Sequence, residues 1–473
     1  MPERFDMVVI GSGPAGEKGA TQAAYFGYRV AIVERSPVPG GIPVSTAGIP
    51  TKTLRETALY VTGFQQRDVY GLSLHLDPES TLQRLMSRTA EVTAIAQETV
   101  RRNIERHGIT LFHGEATLEP GGIVRVRSDG AETALEARTV LIAAGSRPFR
   151  PAGIPFDDPD VHDSDEIIHL DRIPKTLVVV GGGPVGSEFA SIFTALGVEV
   201  TLVDSGDRLL PFMDAEISEL LAESFTKLGM RVILRSGAAS IGRSEGELQV
   251  TLADGEVLAP EKVLFAAGRA GNTEGLGLDA VGVEVDARGR IVVDQHFKTT
   301  AEAIYAAGDV VGPPALGSVS MEQGRVAACH ALGIPFKETV DPLAPYGIYS
   351  IPEVAMAGLT EEAATAQGID YETGRGWFAQ NTRASIAGST DGLVKLVFRR
   401  DDKRLLGVHI LGEIAGELIH QGQAVLHSGD TIDRFIHATF NIPTRSDAYK
   451  YAAYDGLQRL AGPPVEANAP TTL

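Results

Sequence analysis

The segment GGIPVSTAGIPTKTLRE, from Gly40 to Glu56, joins a glycine- and proline-rich loop to a single lysine, Lys52. A loop of this kind favours a flat, negatively charged ligand that lies against the backbone. The letters TKTLRETALYV then predict the start of an amphipathic helix. The loop positions where reactive side chains could stand hold Pro43, Ser45, Thr46 and Gly48. The loop therefore offers a binding surface and a cation, but no thiol.

A glycine fingerprint near the N-terminus predicts a first dinucleotide site. Gly11, Gly13 and Gly16 follow the apolar run MVVI and precede a helix of small residues. Glycines at this spacing allow a tight turn and a close approach of the backbone to a pyrophosphate at the helix N-terminus. Glu34 ends the next strand, 23 residues after Gly11, and can accept hydrogen bonds from ribose hydroxyls. Strand, turn, helix and acid occur together, which makes the motif specific.

The same pattern recurs in KTLVVVGGGPVGSEFASIFTALGVEVTLVD. Gly181, Gly183 and Gly186 follow a strand, and Asp204 again stands 23 residues after the first glycine. Two such sites in one chain predict either two dinucleotide cofactors or one cofactor and one substrate.

Three further strands are predicted to end in glycine turns. They end at Gly145 in RTVLIAAGSRPFRP, at Gly268 in EKVLFAAGRAGN, and at Gly308 in AEAIYAAGDVV. The residue after the last of these glycines is Asp309, which is in a position to reach the polar chain of a cofactor.

Length and charge restrict the class of protein. A chain of 473 residues is long enough for two to four domains. Its net charge of -19 argues against nucleic acid or an anionic membrane as partner, because phosphates would be repelled. No apolar run approaches the roughly 18–20 residues that span a bilayer. The N-terminal letters lead directly into a strand, so we expect no signal peptide and a cytoplasmic protein.

The single cysteine excludes several chemistries. Cys329 lies in EQGRVAACHALG, a predicted helix, where a buried apolar role is the preferred interpretation. One cysteine permits neither an internal disulfide nor a Cys-x-x-Cys pair. His420 and His427 could share a helix face, but no third ligand stands at metal spacing, so no metal site is predicted.

The sequence changes character after Pro345. GLVKLVFRRDDKRLLGVHILG predicts a hairpin with its turn at Asp401 and Asp402, and helices follow from Ile414. These features indicate an α+β domain on an antiparallel sheet. The final letters, AGPPVEANAPTTL, lack apolar periodicity and predict a disordered tail over 463–473.

The order of these motifs over about residues 5 to 462 resembles the flavoprotein family of the disulfide reductases. The resemblance implies an α/β fold with two Rossmann-like, three-layer dinucleotide-binding domains and a C-terminal α+β dimerisation domain. It implies an FAD-binding domain formed by 1–150 and 275–340, and an NAD(P)-binding domain at 151–274. Residues 341–462 would form the interface of a homodimer or higher homo-oligomer.

The thiol machinery of that family is missing. Redox-active members carry G-G-T-C-x-N-x-G-C-I-P-S-K in the opening loop, where this chain has Pro43 and Gly48 at the cysteine positions. They also carry a C-terminal H-P-T-x-x-E, where this chain has Ile442 and Asp447. Disulfide reduction needs a thiolate nucleophile, so the sequence excludes a disulfide reductase of that design.

The resemblance also implies which residues contact the nucleotides. Lys52 and Glu188 would form the catalytic pair beside the flavin ring. FAD would contact the first fingerprint, the segment 34–43, the lysine and two of the glycine turns: Gly11, Gly13, Gly16, Glu34, Arg35, Ser36, Pro37, Val38, Pro39, Gly40, Gly41, Ile42, Pro43, Lys52, Gly145, Gly308 and Asp309. NAD(H) or NADP(H) would contact the second fingerprint and its neighbours: Gly181, Gly183, Gly186, Asp204, Arg208 and Gly268.

The segment FNIPTRSDAYKYAAYDGLQRL resembles the branch of the family that transfers hydride between NADPH and NAD+. The implied reaction is ping-pong through FAD, without a disulfide. One alternative is an NAD(P)H-dependent diaphorase or quinone reductase, since an acceptor could reach a flavin face without cysteines. Another, from a different class, is a non-catalytic flavin-binding interaction protein.

The turn VDSGDRLLPF bears on the choice between hydride transfer from NADPH to NAD+ and an NAD(P)H-dependent diaphorase. Asp204 suits a ribose 2′-hydroxyl and would repel a 2′-phosphate, so NADPH needs a compensating cation. Within this turn, Arg208 is the residue that could supply it.

Overall fold

The computed structural model describes residues 2–63, 71 and 77–461. The tail predicted at 463–473 lies outside the described residues. The strands, in chain order, are β1 (Glu3–Ile10), β2 (Val30–Glu34), β3 (Thr110–His113), β4 (Glu115–Glu119), β5 (Ile123–Ser128), β6 (Ala131–Ile142), β7 (Ser146–Pro148), β8 (Val161–His162), β9 (Thr176–Val180), β10 (Glu199–Val203), β11 (Arg231–Ile233), β12 (Ala238–Ser244), β13 (Glu247–Leu252), β14 (Val257–Leu258), β15 (Lys262–Phe265), β16 (Arg269–Gly271), β17 (Ile304–Ala306), β18 (Tyr346–Ile348), β19 (Val354–Gly358), β20 (Tyr371–Trp377), β21 (Leu393–Arg399) and β22 (Leu405–Leu411).

The α-helices are α1 (Pro14–Tyr25), α2 (Ile42–Ser45), α3 (Ile49–Thr62), α4 (Pro78–Arg106), α5 (Pro184–Ala195), α6 (Ala215–Lys227), α7 (Leu278–Val281), α8 (Gly317–Leu332), α9 (Glu361–Ala366), α10 (Thr382–Ala387), α11 (Ala415–Ser428), α12 (Asp433–His437) and α13 (Ala448–Ala461). Short 3-10 turns occupy Ile167–His169, Asp309–Val311, Phe378–Gln380 and Arg445–Asp447. In the described part of the chain, no helix combines the length and apolarity needed to cross a bilayer.

The first sheet has the strand order β3-β2-β1-β6-β5-β4, and β17 pairs with β6. β1 runs parallel to β2 and β6, with Met7 opposite Val30 and Thr139. β17 also runs parallel to β6, although some 160 residues separate the two strands in sequence. Because the carboxyl ends of parallel strands meet at one edge, the loops after β1, β2 and β17 lie side by side there. This edge collects the first fingerprint, the acid after β2 and the Gly-Asp turn.

The second sheet is parallel throughout, in the order β11-β10-β9-β15-β8. Its central strand, TLVVV, is buried along four of its five residues, as expected for a strand covered on both faces. A small antiparallel sheet, β12-β13-β14, lies beside it. The sheets confirm the predicted α/β class with two Rossmann-like units, while the domain boundaries remain a prediction.

The third sheet is antiparallel, in the order β18-β19-β22-β21-β20. The hairpin predicted at Asp401 and Asp402 is confirmed, because β21 and β22 pair on either side of these residues. Gly374 and Gly376 of β20 allow helix α13 to approach the sheet. A Cβ on either glycine would lie 2.0–2.1 Å from a carbonyl oxygen of that helix. The C-terminal unit is therefore the predicted α+β domain.

A buried ion-pair cluster joins the second unit to the C-terminal sheet. Lys395 is 1% exposed, and its Nζ lies 2.7 Å from Asp214 Oδ1 and 2.8 Å from Glu216 Oε2. It also contacts Glu361. Burial alone would raise the pKa of Asp214, but His409 and Lys395 outweigh it, and the pKa lies below its ordinary value. The three carboxylates lie close enough for a metal ion, but the lysine already occupies the place between them.

Candidate active site

The glycines of the first fingerprint have distinct roles. Gly11 has a φ of +99°, and a Cβ there would lie 2.4 Å from the carbonyl oxygen of Ala143. A Cβ on Gly16 would lie 1.9 Å from the carbonyl oxygen of Gly11. At both positions the surrounding backbone leaves no space for a side chain. Gly13 is open, because its nearest neighbour would be the Cα of Gly41 at 4.0 Å.

The second fingerprint repeats this geometry. Gly181 has a φ of +118°, and a Cβ there would lie 2.7 Å from the carbonyl oxygen of Ala266, while a Cβ on Gly186 would lie 1.8 Å from Gly181 O. A Cβ on the middle glycine, Gly183, would have no neighbouring atom within 4 Å. Packing explains the first and third glycine of each motif, and the open middle position leaves room for a ligand.

Two helices begin at these open positions. α1 is capped by Gly13 and α5 by Gly183, and neither cap residue supplies a side-chain acceptor. The first N–H groups of such helices are unsatisfied and carry the positive end of the helix dipole. Each helix start, here called a cradle, therefore has the backbone geometry and charge that suit a pyrophosphate.

The two acids hold their fingerprint loops in the same way. Glu34 Oε2 accepts hydrogen bonds from the backbone N and Oγ of Ser12 at 2.9 and 2.6 Å, and Oε1 accepts one from Ser36 N at 2.8 Å. Asp204 accepts from Gly182 N at 2.5 Å and from Gly206 N at 2.6 Å. Each carboxylate thus ties its glycine loop to the end of the neighbouring strand. Ser12 was not singled out from the sequence, because its position in the motif tolerates any residue.

A cavity of about 1370 Å³ opens at the edge of the first sheet and reaches the second unit and the C-terminal domain. Its lining includes more than half of the predicted nucleotide contacts. These are Gly11, Gly13, Glu34, Arg35, Ser36, Gly41, Ile42, Pro43, Lys52, Gly145, Gly308 and Asp309, together with Glu188.

The remaining predicted residues do not line this cavity. Those of the first unit are Gly16, Pro37, Val38, Pro39 and Gly40. Gly16 packs inside its own loop, and Gly40 N donates to Ser12 Oγ at 2.9 Å. Those of the second unit are Gly181, Gly183, Gly186, Asp204, Arg208 and Gly268. They follow the ends of β9, β10 and β15 at the carboxyl edge of the second sheet.

Lys52 and Glu188 meet inside the cavity. Lys52 Nζ, on α3, lies 2.7 Å from Glu188 Oε2 and 2.9 Å from Oε1, on α5. Tyr349 of the C-terminal domain holds the pair from a third side. Its backbone N–H donates to Glu188 Oε1 at 2.9 Å, and its ring centre lies 5.1 Å from Lys52 Nζ. The sequence around Tyr349, GIYSIPE, contains no motif that would have indicated this role.

A second contact fixes α3 against the C-terminal domain. Arg55 is 3% exposed, and its Nη2 lies 3.2 Å from Glu353 Oε1. Its Nε donates to Ser350 O at 3.2 Å. The position of Lys52, one turn earlier on the same helix, is therefore set by a buried arginine.

The loop that contains Pro43 and Gly48 holds no cysteine, and its backbone disfavours a side chain at the second of these positions. Gly48 has a φ of +81°, a conformation that disfavours any L side chain, and its Cβ would lie 3.1 Å from Pro43 Cα. Nearby, Thr46 Oγ1 donates to Asp165 Oδ1 at 3.2 Å, and burial raises the pKa of that aspartate. Cys329 is buried in α8, does not line the cavity, and has a pKa raised by burial.

The segment from Asn441 to Asp447, where redox-active members of the resembled family carry a histidine, contains none. Ile442 is 73% exposed in the single chain. Asp447 accepts a hydrogen bond from Asn381 Nδ2, and burial raises the pKa of its carboxyl. The neutral asparagine contact makes Asp447 an anchor of the loop.

A polar chain across two units positions the Gly-Asp turn. Ser146 Oγ donates to Asp309 Oδ2 at 2.9 Å, and Arg269 Nε donates to Ser146 Oγ at 2.7 Å. Neither Ser146 nor Arg269 was predicted as a site residue. Each directly follows a predicted glycine turn, but their meeting depends on the sheet topology.

Comparison with known proteins places this site in a family. The pyridine nucleotide-disulphide oxidoreductase family matches residues 5–327, and its dimerisation domain matches residues 344–453. A soluble pyridine nucleotide transhydrogenase of Mycobacterium bovis is 42% identical over 96% of this chain and 98% of its own length. One from Chromohalobacter salexigens is 40% identical over 96% of this chain and 99% of its own length.

Solved structures agree with these relatives in fold. The Cu(II) complex of the HOCl-induced flavoprotein disulfide reductase RclA from Escherichia coli has a TM-score of 0.86 and 28% identity. LpdA from Mycobacterium tuberculosis has a TM-score of 0.86 and 29% identity. Each alignment covers 96% of this chain and 99% of the other.

Two pyrophosphate cradles beside a cavity with a lysine–glutamate pair define an oxidoreductase that works with dinucleotides. This chain belongs to the pyridine nucleotide-disulphide oxidoreductase family.

Proposed function

We propose that this protein is a soluble pyridine nucleotide transhydrogenase, which moves a hydride from NADPH to NAD+ with FAD as carrier and without a disulfide. The observation that carries the proposal is the Lys52–Glu188 pair in a cavity that is also lined by Pro43 and Gly48. These two residues stand where redox-active members of the family carry cysteines. The names of relatives at about 40% identity over nearly the whole chain support it.

FAD fits the first cradle and the cavity. A volume of about 1370 Å³ exceeds the roughly 300–1,000 Å³ of ordinary ligand pockets, as a dinucleotide with a second ring beside it requires. The open backbone at Gly13 suits the pyrophosphate, and Glu34 and Asp309 line the cavity as acceptors for ligand hydroxyls. When bound, FAD supplies a ring system that accepts and returns a hydride.

The side chains of this protein supply orientation and charge. The Lys52 ammonium, fixed by Glu188 and Tyr349, brings positive charge into a partly enclosed space, where it stabilises negative charge on a ligand. Pro184 and Val185 line the same cavity at the start of α5 and provide an apolar wall. The Phe212 and Tyr346 rings, 5.4 Å apart, add aromatic surface to another side of the cavity.

The second cradle is proposed as the common site for NADPH and NAD+, which enter in turn. Gly181, Gly183 and Gly186 would hold the pyrophosphate, and Asp204 the adenosine ribose. Arg208 remains a proposed contact for the 2′-phosphate. Gly268, which follows β15, flanks this edge.

The proposed domain arrangement follows the same division. Residues 1–150 and 275–340 would bind FAD, 151–274 would bind the pyridine nucleotide, and 341–462 would form the dimer. The matching dimerisation domain supports a homo-oligomer. A cytoplasmic location is also proposed, on the ground that both substrates are nucleotides of cell metabolism.

Steady-state kinetics test the proposal. With NADPH as donor and a thionicotinamide analogue of NAD+ as acceptor, initial rates at several fixed acceptor concentrations should give parallel double-reciprocal lines. Intersecting lines would contradict transfer in two separate half-reactions. Activity with a quinone but with no nucleotide acceptor would instead favour a diaphorase.

A further inference from the structure

A site that takes NADPH and NAD+ in turn needs a cation that acts only when a 2′-phosphate is present. Arg208 is poorly suited to supply this cation alone, because its guanidinium is already engaged. Its Nη1 lies 2.8 Å from Glu362 Oε1, and its Nη2 donates to Pro211 O at 3.0 Å. A phosphate would have to compete with a carboxylate for this arginine.

Arg235 lies beside the same turn. It follows β11, the strand next to β10 in the second sheet, so both strands end at the same edge. The backbone N–H of Arg235 donates to Gly206 O at 2.8 Å, and that of Ser236 donates to Asp204 O at 3.2 Å. Arg235 is therefore fixed against the loop whose carboxylate marks the adenosine ribose.

The guanidinium of Arg235 is free. Its side chain is exposed, and within residues 2–63, 71 and 77–461 it forms no ion pair or side-chain hydrogen bond. Arg231, on the same strand, shows the usual alternative, since its guanidinium contacts both carboxylate oxygens of Glu256 at 2.7–2.8 Å. A free arginine beside Asp204 is thus a specific feature of this edge.

The backbone of Arg235 is in an unfavourable conformation. Its φ of +61° lies in the left-handed region, which glycine or asparagine adopts more readily than arginine. Strained residues of this kind concentrate at binding sites, where the side chain has a use. The strain and the unpaired guanidinium are separate observations that coincide at Arg235, which is the one arginine among the positive-φ residues of the described chain.

We propose that Arg235 binds the 2′-phosphate of NADP(H) and allows one site to accept both nucleotides. This inference rests on the proposed function. With NADPH bound, the guanidinium forms charge-assisted hydrogen bonds to the phosphate. With NAD+ bound, it stays hydrated and loses nothing, because it has no protein partner to leave.

Asp204 does not prevent this arrangement. Its two carboxylate oxygens already accept hydrogen bonds from the backbone N–H groups of Gly182 and Gly206. These donors offset part of its charge and hold it in place, so an incoming phosphate that pairs with Arg235 meets a carboxylate that is already hydrogen-bonded.

Equilibrium binding to the purified holoenzyme tests this assignment, with adenosine 2′,5′-bisphosphate and 5′-AMP as probes. In Arg235→Gly, the Kd for the bisphosphate should rise about 10- to 100-fold, as for the loss of a charged hydrogen bond. The Kd for 5′-AMP should change by less than about twofold. Glycine tolerates the backbone conformation of this position, so the variant should fold. Arg235→Lys should bind the bisphosphate with intermediate affinity.

Two further variants serve as comparisons. Arg231→Ala, on the same strand, should leave both dissociation constants unchanged. Arg208→Ala should weaken the bisphosphate less than Arg235→Gly does. The assignment is wrong if Arg235→Gly binds the bisphosphate as tightly as wild type, or if it loses affinity for both probes equally. It is also wrong if Arg235→Gly weakens bisphosphate binding less than Arg208→Ala does. A wild-type protein that binds the bisphosphate no more tightly than 5′-AMP would overturn this inference, whereas the proposed function fails only if NADPH does not reduce the bound flavin.

Discussion

Lys52 Nζ lies 2.7 Å from Glu188 Oε2, although the two residues are 136 positions apart in the sequence. The pair joins the helix that follows the opening loop to the helix that begins at the second fingerprint. Tyr349 of the C-terminal domain adds a hydrogen bond to the same carboxylate. The site is therefore assembled from three parts of the chain, and its charge is fixed before a ligand arrives.

Lys52→Met should slow reduction of the bound flavin by NADPH about 10- to 100-fold, because a preorganised charge of this kind contributes a few kcal/mol. Flavin content should be retained, since the first cradle does not depend on the lysine. Lys52→Arg is the matched control and should recover part of the rate. Anaerobic rapid mixing measures this step, and an unchanged rate in Lys52→Met would exclude a role for the charge.

The thiol of Cys329 should be irrelevant to turnover. Cys329→Ser is expected to stay within about twofold of the wild-type rate, because the residue is buried in α8 and does not line the cavity. Thiol-blocking reagents give a second measurement on the native chain. Inactivation at a rate matching modification of this cysteine would contradict the account.

Gly48 should not tolerate a side chain. Gly48→Ala combines a φ of +81° with a contact of 3.1 Å to Pro43 Cα, so it should lower the free energy of unfolding by about 1–3 kcal/mol. Gly130→Ala is the matched control, since it has the same φ of +81° but no atom within 4 Å. Denaturant unfolding of both variants separates the backbone effect from the contact. Equal losses would mean that the loop has room for a side chain.

Removal of Lys395 should destabilise the junction of the second unit with the C-terminal sheet. Lys395→Met removes the buried cation between three carboxylates, of which Glu216 keeps Arg375 as a partner, and should reduce the free energy of unfolding by about 3–5 kcal/mol. Exposed Lys227→Met, for which no ion pair is found in the described chain, should change it little.

The same variant has a defined pH dependence. Burial alone would raise the pKa values of Asp214 and Glu216 above their ordinary values of 3.8 and 4.5. Both pKa values are instead lowered, that of Asp214 by His409 and Lys395 and that of Glu216 by hydrogen bonds from Arg375 and Lys395. Their stabilising contribution is therefore present above about pH 4.5 and is lost as the pH falls through the lowered values. The difference in stability between wild type and Lys395→Met should be largest near neutral pH and narrow on acidification. A constant difference down to pH 3 would contradict this assignment of charge.

Ile442 should lie in the dimer interface. It is 73% exposed in one chain and belongs to the segment matched by the dimerisation domain. Ile442→Glu should raise the dissociation constant of the dimer, because a charge would be buried at the contact. Val257→Glu, at another exposed apolar position, should not. Sedimentation at several concentrations measures both, and equal behaviour would exclude this interface.

Local sequence patterns were sufficient to predict the cradles. Gly11 and Gly181 each follow an apolar strand, and the acids Glu34 and Asp204 stand at the same spacing after them. Each dinucleotide-binding unit could therefore be predicted from a segment of some thirty residues. The contacts that complete the site could not be predicted from local sequence patterns. Tyr349 meets Glu188 through a turn without a motif, and its role depends on how the third sheet packs.

The surroundings of Arg208 show the same limit. Its position in the turn indicated a free cation, but Glu362 lies 154 residues further along the chain and pairs with it. Arg235 was overlooked because the letters RVILRSG around it contain neither a G-x-G-x-x-G fingerprint nor an acid. Which arginine is free is a property of the folded sheet edge and not of either sequence segment.

Anaerobic stopped-flow measurement of both half-reactions on one sample tests the central claim most directly. NADPH should bleach the absorbance of the bound flavin, and NAD+ added next should restore it, each at a rate no slower than steady-state turnover. No long-wavelength charge-transfer band between thiolate and flavin should appear, because no thiol faces the cavity. If only NADH bleaches the flavin and only a quinone restores it, the transhydrogenase account is wrong.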